Sequence, residues 1–167
     1  MITDVHEPDE TTADAGDIPV LDMVEPMVGF PEQRRFALAR LDDTGTICDL
    51  RSLDDPSLSF VVVPPGVFFA DYAPEIQDDL AVALGADSEQ DLLTLVVLTL
   101  GETPAESTAN LLAPIVVNHR TRRACQGDPL AAMNQRTASA PCRSISGIGS
   151  RTLPRCLDIL RPSASRM

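Results

Sequence analysis

The chain contains no lysine and no tryptophan, and it has only one tyrosine. All thirteen cations are arginines, against 25 acidic residues, so the formal net charge is -12. Residues 1–119 hold 23 acids and four arginines (-19), whereas residues 120–167 hold two acids and nine arginines (+7). An acidic body repels the phosphate backbone of nucleic acids. The sequence therefore predicts no direct binding of nucleic acid and favours a basic partner protein.

Patterns for metal binding, redox chemistry, secretion and membrane insertion are also missing. The four cysteines, Cys48, Cys125, Cys142 and Cys156, form no CxxC pair, and no histidine stands at ligand spacing. No apolar run approaches the roughly 18 residues that span a membrane. Residues 1–17 lack a basic segment followed by an apolar one, as a secretory signal would have. We expect a soluble cytoplasmic protein with free thiols, no cofactor and no metal.

Composition divides the chain into three segments. Residues 1–17 are rich in Asp, Glu, Thr and Ala and have little to bury, which predicts a disordered acidic leader. Residues 18–126 carry the short apolar runs of one globular domain, and the apolar fraction of 44% suits a single core. Residues 127–167 are rich in Ser, Arg, Pro, Ala and Gly without a sustained period, which predicts a basic, disordered tail.

Within the central segment, short apolar runs rich in Val, Ile and Phe predict β-strands. The predicted strands are 36–41, 46–51, 58–63, 92–100, 109–118 and 122–126. Residues 42–45 and 53–56 read as hairpin turns, so we expect an antiparallel meander. Pro114 lacks a backbone N–H, which predicts that strand 109–118 lies at an edge or is bulged there. The expected fold class is mainly β.

Two helical segments are predicted as well. Residues 74–84 place apolar side chains at helical spacing, and Gly85 follows where a helix would end. Ser88 is followed three residues later by Asp91, which resembles a capping box at the start of a single helical turn. The mainly β domain is therefore expected to carry one or two short helices.

Several aspartates are candidates for chemistry or for turns. Asp54 and Asp55 precede Pro56, and adjacent carboxylates serve either acid–base catalysis or turn formation. Together with Asp71 and Asp79 they define one functional alternative, a small carboxylate-dependent hydrolase. The sequence offers no nucleophile, metal-ligand spacing or phosphate loop to accompany them. The turn interpretation is favoured.

Aromatic and amide side chains form a second group of candidates. Phe68, Phe69 and Tyr72 are either exposed anchors for a partner or core aromatics at the end of a strand. Asn110 and Asn118 flank an apolar run. Since a buried amide must find hydrogen-bond partners, such residues usually hold turns and strand ends. Their first expected role is structural.

In combination, these motifs resemble the FliW family of flagellar assembly factors. The matching residues are Gly29-Phe30-Pro31, Ser52, Asp55-Pro56, Phe68-Phe69, Asp71-Tyr72, Thr108, Asn110-Leu111, Ala113-Pro114-Ile115, Asn118 and Gln126. The resemblance covers residues 18–126. It implies a small barrel-like β protein that is not an enzyme.

The resemblance also implies partners. Family members bind the RNA-binding regulator CsrA, block its repression of flagellin mRNA, and bind flagellin, which displaces them from CsrA. Carried over by motif, the partner-binding residues are Asp54, Asp55, Asp71, Tyr72 and Asn110. Two alternatives remain open: a flagellin-binding chaperone without a CsrA role, and a non-functional divergent copy.

The resemblance ends at Gln126. Members continue there with a short apolar strand and an acidic end that contains tyrosine, whereas this chain continues with a serine- and arginine-rich tail. Codons for residues 127–130, read one nucleotide later, can spell Val-Ile-Leu. A changed reading frame is therefore one explanation of residues 127–167, and a native divergent tail is the other.

Overall fold

The structure is a computed structural model that describes residues 18–103, 106–127 and 139–141. The predicted acidic leader and most of the predicted tail lie outside these residues. The boundaries of the three segments therefore stay a prediction.

The described residues form nine strands, one α-helix and two short 3-10 turns. The strands are β1 (Val20–Met23), β2 (Arg35–Arg40), β3 (Cys48–Ser52), β4 (Ser59–Val63), β5 (Leu92–Thr99), β6 (Thr108–Asn110), β7 (Ile115–Asn118), β8 (Arg123–Gln126) and β9 (Ser139–Pro141). Helix α1 spans Asp78–Leu84, and the 3-10 turns span Pro65–Val67 and Glu89–Asp91. The mainly β fold class is confirmed.

Seven strands close into a barrel. Their order is β4–β3–β2–β1–β8–β7–β5, and β5 returns to pair with β4. The predicted meander is confirmed as β2–β3–β4, with antiparallel pairs. One pair departs from the expected antiparallel pattern, because β1 and β8 are parallel, with Asp22 opposite Arg123. A parallel pair cannot be joined by a hairpin, so local turn signals could not predict it.

The predicted strand 109–118 is two strands, β6 and β7, that lie on the same edge of β5. Leu95 of β5 pairs with Ile115 of β7, and Leu98 of β5 pairs with Ala109 of β6. Three positions along β5 therefore correspond to six positions along its partner. Three extra residues therefore bulge out of the ladder at 111–114, where Pro114 cannot donate a hydrogen bond. The prediction of one continuous strand is wrong, and the predicted bulge at Pro114 is confirmed.

On the outer edge of β6, β9 forms a further antiparallel pair. β7 and β6 each pair with β5 on one edge; on the other edge, β7 pairs with β8 and β6 pairs with β9. β8 and β9 therefore follow one another along the same side of the bulged pair β7 and β6. A three-residue strand therefore lies within the segment that the sequence predicts to be a tail.

Alternation of side chains along the strands fills the barrel. The apolar residues buried inside it include Leu21, Met23, Phe36, Leu38, Cys48, Leu50, Val62, Leu93, Leu95, Ile115, Val117 and Ala124. Their outward-facing neighbours form two further clusters. The first, here called the loop cluster, lies under Phe68, Phe69 and Tyr72 and contains Val63, Val96, Leu98, Ala109 and Leu111. The second, here called the helix cluster, contains the buried residues Leu84, Val116 and Cys125 and the partly buried residues Val24, Ile76, Leu80 and Leu92. The barrel is thus packed on both faces of several strands.

Helix α1 begins later than predicted but ends as predicted. Gly85 adopts a left-handed conformation (φ 71°), and its N–H donates to the carbonyl groups of Ala81 and Val82. The predicted start at 74 is wrong, because the N-cap residue Gln77 is extended and the helix begins at Asp78. Acidic residues suit the positive end of the helix dipole in that first turn.

The predicted capping box is confirmed. A carboxylate oxygen of Asp91 accepts the backbone N–H groups of Asp87 (3.0 Å) and Ser88 (3.2 Å). Arg120 lies 3.4 Å from the other oxygen. Burial opposes the charged form of Asp91, but these donors outweigh it and hold the pKa of Asp91 below its ordinary value.

The barrel interior should dominate stability. Leu95 is fully buried inside the barrel, so Leu95→Ala is expected to lower the free energy of unfolding by about 2–5 kcal/mol. Urea denaturation measures the change. The control Val82→Ala alters a side chain that is 76% exposed and should stay within about 0.5 kcal/mol of the parent. Equal losses in both variants would contradict the assignment of the core.

Candidate partner-binding site

The first two candidate residues hold a turn. One carboxylate oxygen of Asp54 accepts the backbone N–H groups of Arg34 (2.9 Å) and Arg35 (3.1 Å). The Arg34 N–H is the largest of the effects that hold the pKa of Asp54 below its ordinary value. Asp54 thereby attaches the β3–β4 turn to the start of β2.

Asp55 has its own donors. One of its carboxylate oxygens accepts the backbone N–H (3.0 Å) and the hydroxyl (2.6 Å) of Ser57. These bonds lower the pKa of Asp55, with the Ser57 hydroxyl as the main cause. The hydroxyl oxygen of Ser52 accepts the N–H groups of Asp54 (3.1 Å) and Asp55 (3.0 Å). The predicted turn is therefore present, and a partner-binding role for the two carboxylates stays a prediction.

Tyr72 attaches the loop after β4 to the bulge. Its hydroxyl donates to the Leu111 carbonyl at 2.7 Å, and partial burial raises the pKa of that hydroxyl. The Phe68 and Phe69 rings meet edge to face, with centroids 6.3 Å apart, and both pack on the loop cluster. The three aromatic side chains are half-buried over the barrel, between the core and the exposed-anchor interpretations, while Asp71 beside them is exposed.

Asn110 stabilises the bulge itself. Its side-chain oxygen accepts the N–H groups of Leu112 (3.2 Å) and Ala113 (3.3 Å). The five candidates therefore fall into two groups. Asp54 and Asp55 lie on the β3–β4 turn, whereas Asp71, Tyr72 and Asn110 lie around the β6–β7 bulge.

Other signature residues also hold turns. Gly29 has a φ of 89°, a conformation that side chains disfavour. It allows Phe30 to turn back onto Phe60, where the ring centroids are 5.4 Å apart. The Gln126 side chain accepts the Val28 N–H at 2.9 Å. The segment after β1 is thus fixed to the end of β8.

A groove of about 400 Å³ lies between the α1 region and the outer face of β7 and β8. Its lining includes the apolar residues Val24, Ile76, Leu80, Pro114 and Val116 and the acidic residues Glu25, Glu75 and Asp79. Burial, and secondarily the Glu25 carboxylate, raise the pKa of the Cys125 thiol within it. The amphipathic pattern of 74–84 could indicate one wall. Nothing local in the sequence indicates that residues 24–28 supply the other.

The candidates for catalysis do not assemble into a metal-binding group. Among residues 18–103, 106–127 and 139–141, no three His, Cys, Asp or Glu side chains are placed to hold an ion together. Asp79 lies at the groove, whereas Asp54 and Asp55 lie on the β3–β4 turn. Within the same residues, no helix is long and apolar enough to cross a membrane.

Closure of seven strands, with a loop and a helix packed on the outside, defines a small β-barrel protein with a helix-walled surface groove. The family model for FliW protein matches residues 5–128. The chain belongs to the FliW family of flagellar assembly factors.

Individual relatives agree with this assignment. The flagellar assembly factor FliW of Bacillus subtilis is 37% identical over 98 residues, covering 59% of this chain and 68% of that protein. The Syntrophus aciditrophicus factor is 36% identical over 100 residues, and the match spans 60% of this chain and 63% of that relative, just under two thirds. A crystal structure of the flagellar assembly factor FliW superposes with a TM-score of 0.62 at 31% identity, covering 66% of this chain and 77% of the other.

The Tyr72 hydrogen bond should be measurable. Tyr72→Phe removes the donor to the Leu111 carbonyl, so the free energy of unfolding is expected to fall by about 1 kcal/mol. Urea denaturation measures it. Asp71→Asn changes an exposed neighbour and serves as the control, with an unchanged midpoint. If Tyr72→Phe also leaves the midpoint unchanged, the bond contributes nothing to the fold.

The lowered pKa of Asp54 predicts a pH dependence. A free aspartate titrates near pH 3.9, and the native carboxyl titrates lower. Its contribution to stability is therefore complete above about pH 4 and is lost as the pH falls through the native pKa. The difference in urea midpoint between the parent and Asp54→Asn should be constant from neutral pH to about pH 4 and shrink below it. Asp43→Asn, an exposed control, should follow the parent, and a constant difference for Asp54→Asn at all pH values would contradict the assignment.

Proposed function

We propose that this protein acts by binding, without catalysis, in the cytoplasm. Its proposed partners are CsrA, an RNA-binding translational regulator, and flagellin. In this proposal it blocks the repression of flagellin mRNA by CsrA, and free flagellin displaces it. Flagellin synthesis is then coupled to flagellin export. The observation that carries the proposal is membership of the FliW family, with the matching barrel.

The charge of the central segment supports a basic partner. Residues 18–127 hold 17 acidic residues and seven arginines, a net charge of -10. An RNA-binding protein must present a basic surface to phosphates. Opposite charge accelerates encounter more than it sets the final affinity. The acidic barrel therefore suits a basic partner such as CsrA.

The hydrogen bonds of the candidate residues favour some of them over others as contact residues. Asp54 and Asp55 are bound to N–H and hydroxyl groups of their own turn and of β2. Tyr72 and Asn110 are bound to the bulge. Asp71 is exposed, so its carboxylate is the candidate that a partner can reach with least rearrangement.

Calorimetric titration of the full chain with CsrA and with flagellin from the same organism tests the proposal. We expect binding to each at micromolar concentration or tighter, and we expect added flagellin to release bound CsrA. Circular dichroism and a cooperative urea transition should accompany the titration as the control for folding. A folded chain that binds neither protein would reject the proposal, and a chain that binds flagellin alone would replace it with a chaperone role.

A further inference from the structure

The groove beside α1 combines an apolar floor with an acidic rim. Val116 of β7 and Cys125 of β8 face outward into the helix cluster, and Ile76 and Leu80 pack beside them from the α1 side. A volume of about 400 Å³ lies within the range of about 300–1,000 Å³ that is typical of ligand sites. The groove can therefore take several side chains of a partner segment.

The charges in the lining have one sign. Glu25, Glu75 and Asp79 line the groove, and none of the residues that line it is Arg, Lys or His. Within residues 18–103 and 106–127, the ion pairs of Arg35, Arg51 and Arg120 all go to other aspartates.

The Glu25 carboxylate acts on the floor of the groove, since it contributes to raising the pKa of the Cys125 thiol. A cation brought near Glu25 would thus meet both a carboxylate and apolar surface.

We infer that this groove binds a segment of CsrA that carries Arg or Lys beside apolar side chains. The inference rests on the proposed function and specifies the surface it uses. Charge complementarity selects this occupant, because a cation would offset the three carboxylates while apolar side chains cover the floor. Of the two proposed partners, only the RNA-binding protein must be basic. A second copy of this acidic domain would bring like charges together.

Two neighbouring residues of α1 supply a matched test. Ala83 is exposed and lines the groove, whereas Val82 is 76% exposed and does not line it. Ala83→Trp should fill the groove and weaken CsrA binding at least about tenfold, and Val82→Trp should bind like the parent. Calorimetry on full-length proteins measures both, with urea midpoints as the control for folding.

Charge is tested separately. The double variant Glu75→Gln with Asp79→Asn should weaken CsrA binding about tenfold at low salt and reduce its salt dependence. A control pair, Asp43→Asn with Glu102→Gln, removes two exposed carboxylates away from the groove and should leave the affinity close to that of the parent.

The outcomes separate the two proposals. If the parent binds neither CsrA nor flagellin, the proposed function fails. If the parent binds CsrA and Ala83→Trp binds equally well, the groove inference is overturned and the proposed function stands.

The identity of the occupant is tested by p-benzoylphenylalanine placed at Gln77, which also lines the groove. A photo-crosslink to an Arg- or Lys-bearing segment of CsrA supports the inference. A crosslink to flagellin, to a second copy or to residues 142–167 of the same chain overturns it.

Discussion

The apolar character of β5 on both faces is the constraint on which the rest of the structure depends. β5 pairs with β4 on one edge and with β7 and β6 on the other. Its side chains enter all three clusters: Leu95 lies inside the barrel, Val96 in the loop cluster and Leu92 at the helix cluster. A strand of this kind must be covered on both sides, so the barrel requires the loop after β4 and helix α1 as outer layers.

A strand that is apolar on both faces does not specify its own register, since a slip by one residue exchanges one apolar set for another. Neighbouring strands remove this ambiguity. In β3, Leu50 points into the barrel, whereas Asp49 points outward and forms a 3.0 Å ion pair with Arg51. The bulge held by Asn110 then sets a different register for β6 than for β7. The register of β5 is therefore imposed by residues outside it.

The outer helix is attached by polar bonds as well as by packing. The fully buried Asn118 donates its amide to the Leu84 carbonyl at 3.1 Å and accepts the N–H groups of Arg120 (2.9 Å) and Thr121 (3.2 Å). The Thr121 hydroxyl donates to the same Leu84 carbonyl at 2.9 Å. The end of α1 and the β7–β8 turn are thus one hydrogen-bonded unit, which fixes one wall of the groove relative to its floor.

Local chemistry made much of the fold predictable. Short apolar runs rich in Val, Ile and Phe predicted β2 to β5, and the missing N–H of Pro114 predicted the bulge. The Ser88 and Asp91 pair predicted its capping box, and Gly85 predicted the end of α1. The parallel pair of β1 and β8 and the far wall of the groove were not predictable, because each joins residues about 100 positions apart that carry no mutual signal.

The residues that identify the family also differ in role from the surface that could bind a partner. Gly29, Asp55, Tyr72 and Asn110 each satisfy a backbone conformation or a hydrogen bond within the barrel. Their spacing can identify a family because a closed barrel needs those turns, whatever the barrel binds. Recognition of a partner instead requires charge and apolar surface that the fold leaves unused, and the acidic groove beside α1 provides both. A signature that specifies the fold therefore identifies the family without identifying the surface that binds a partner.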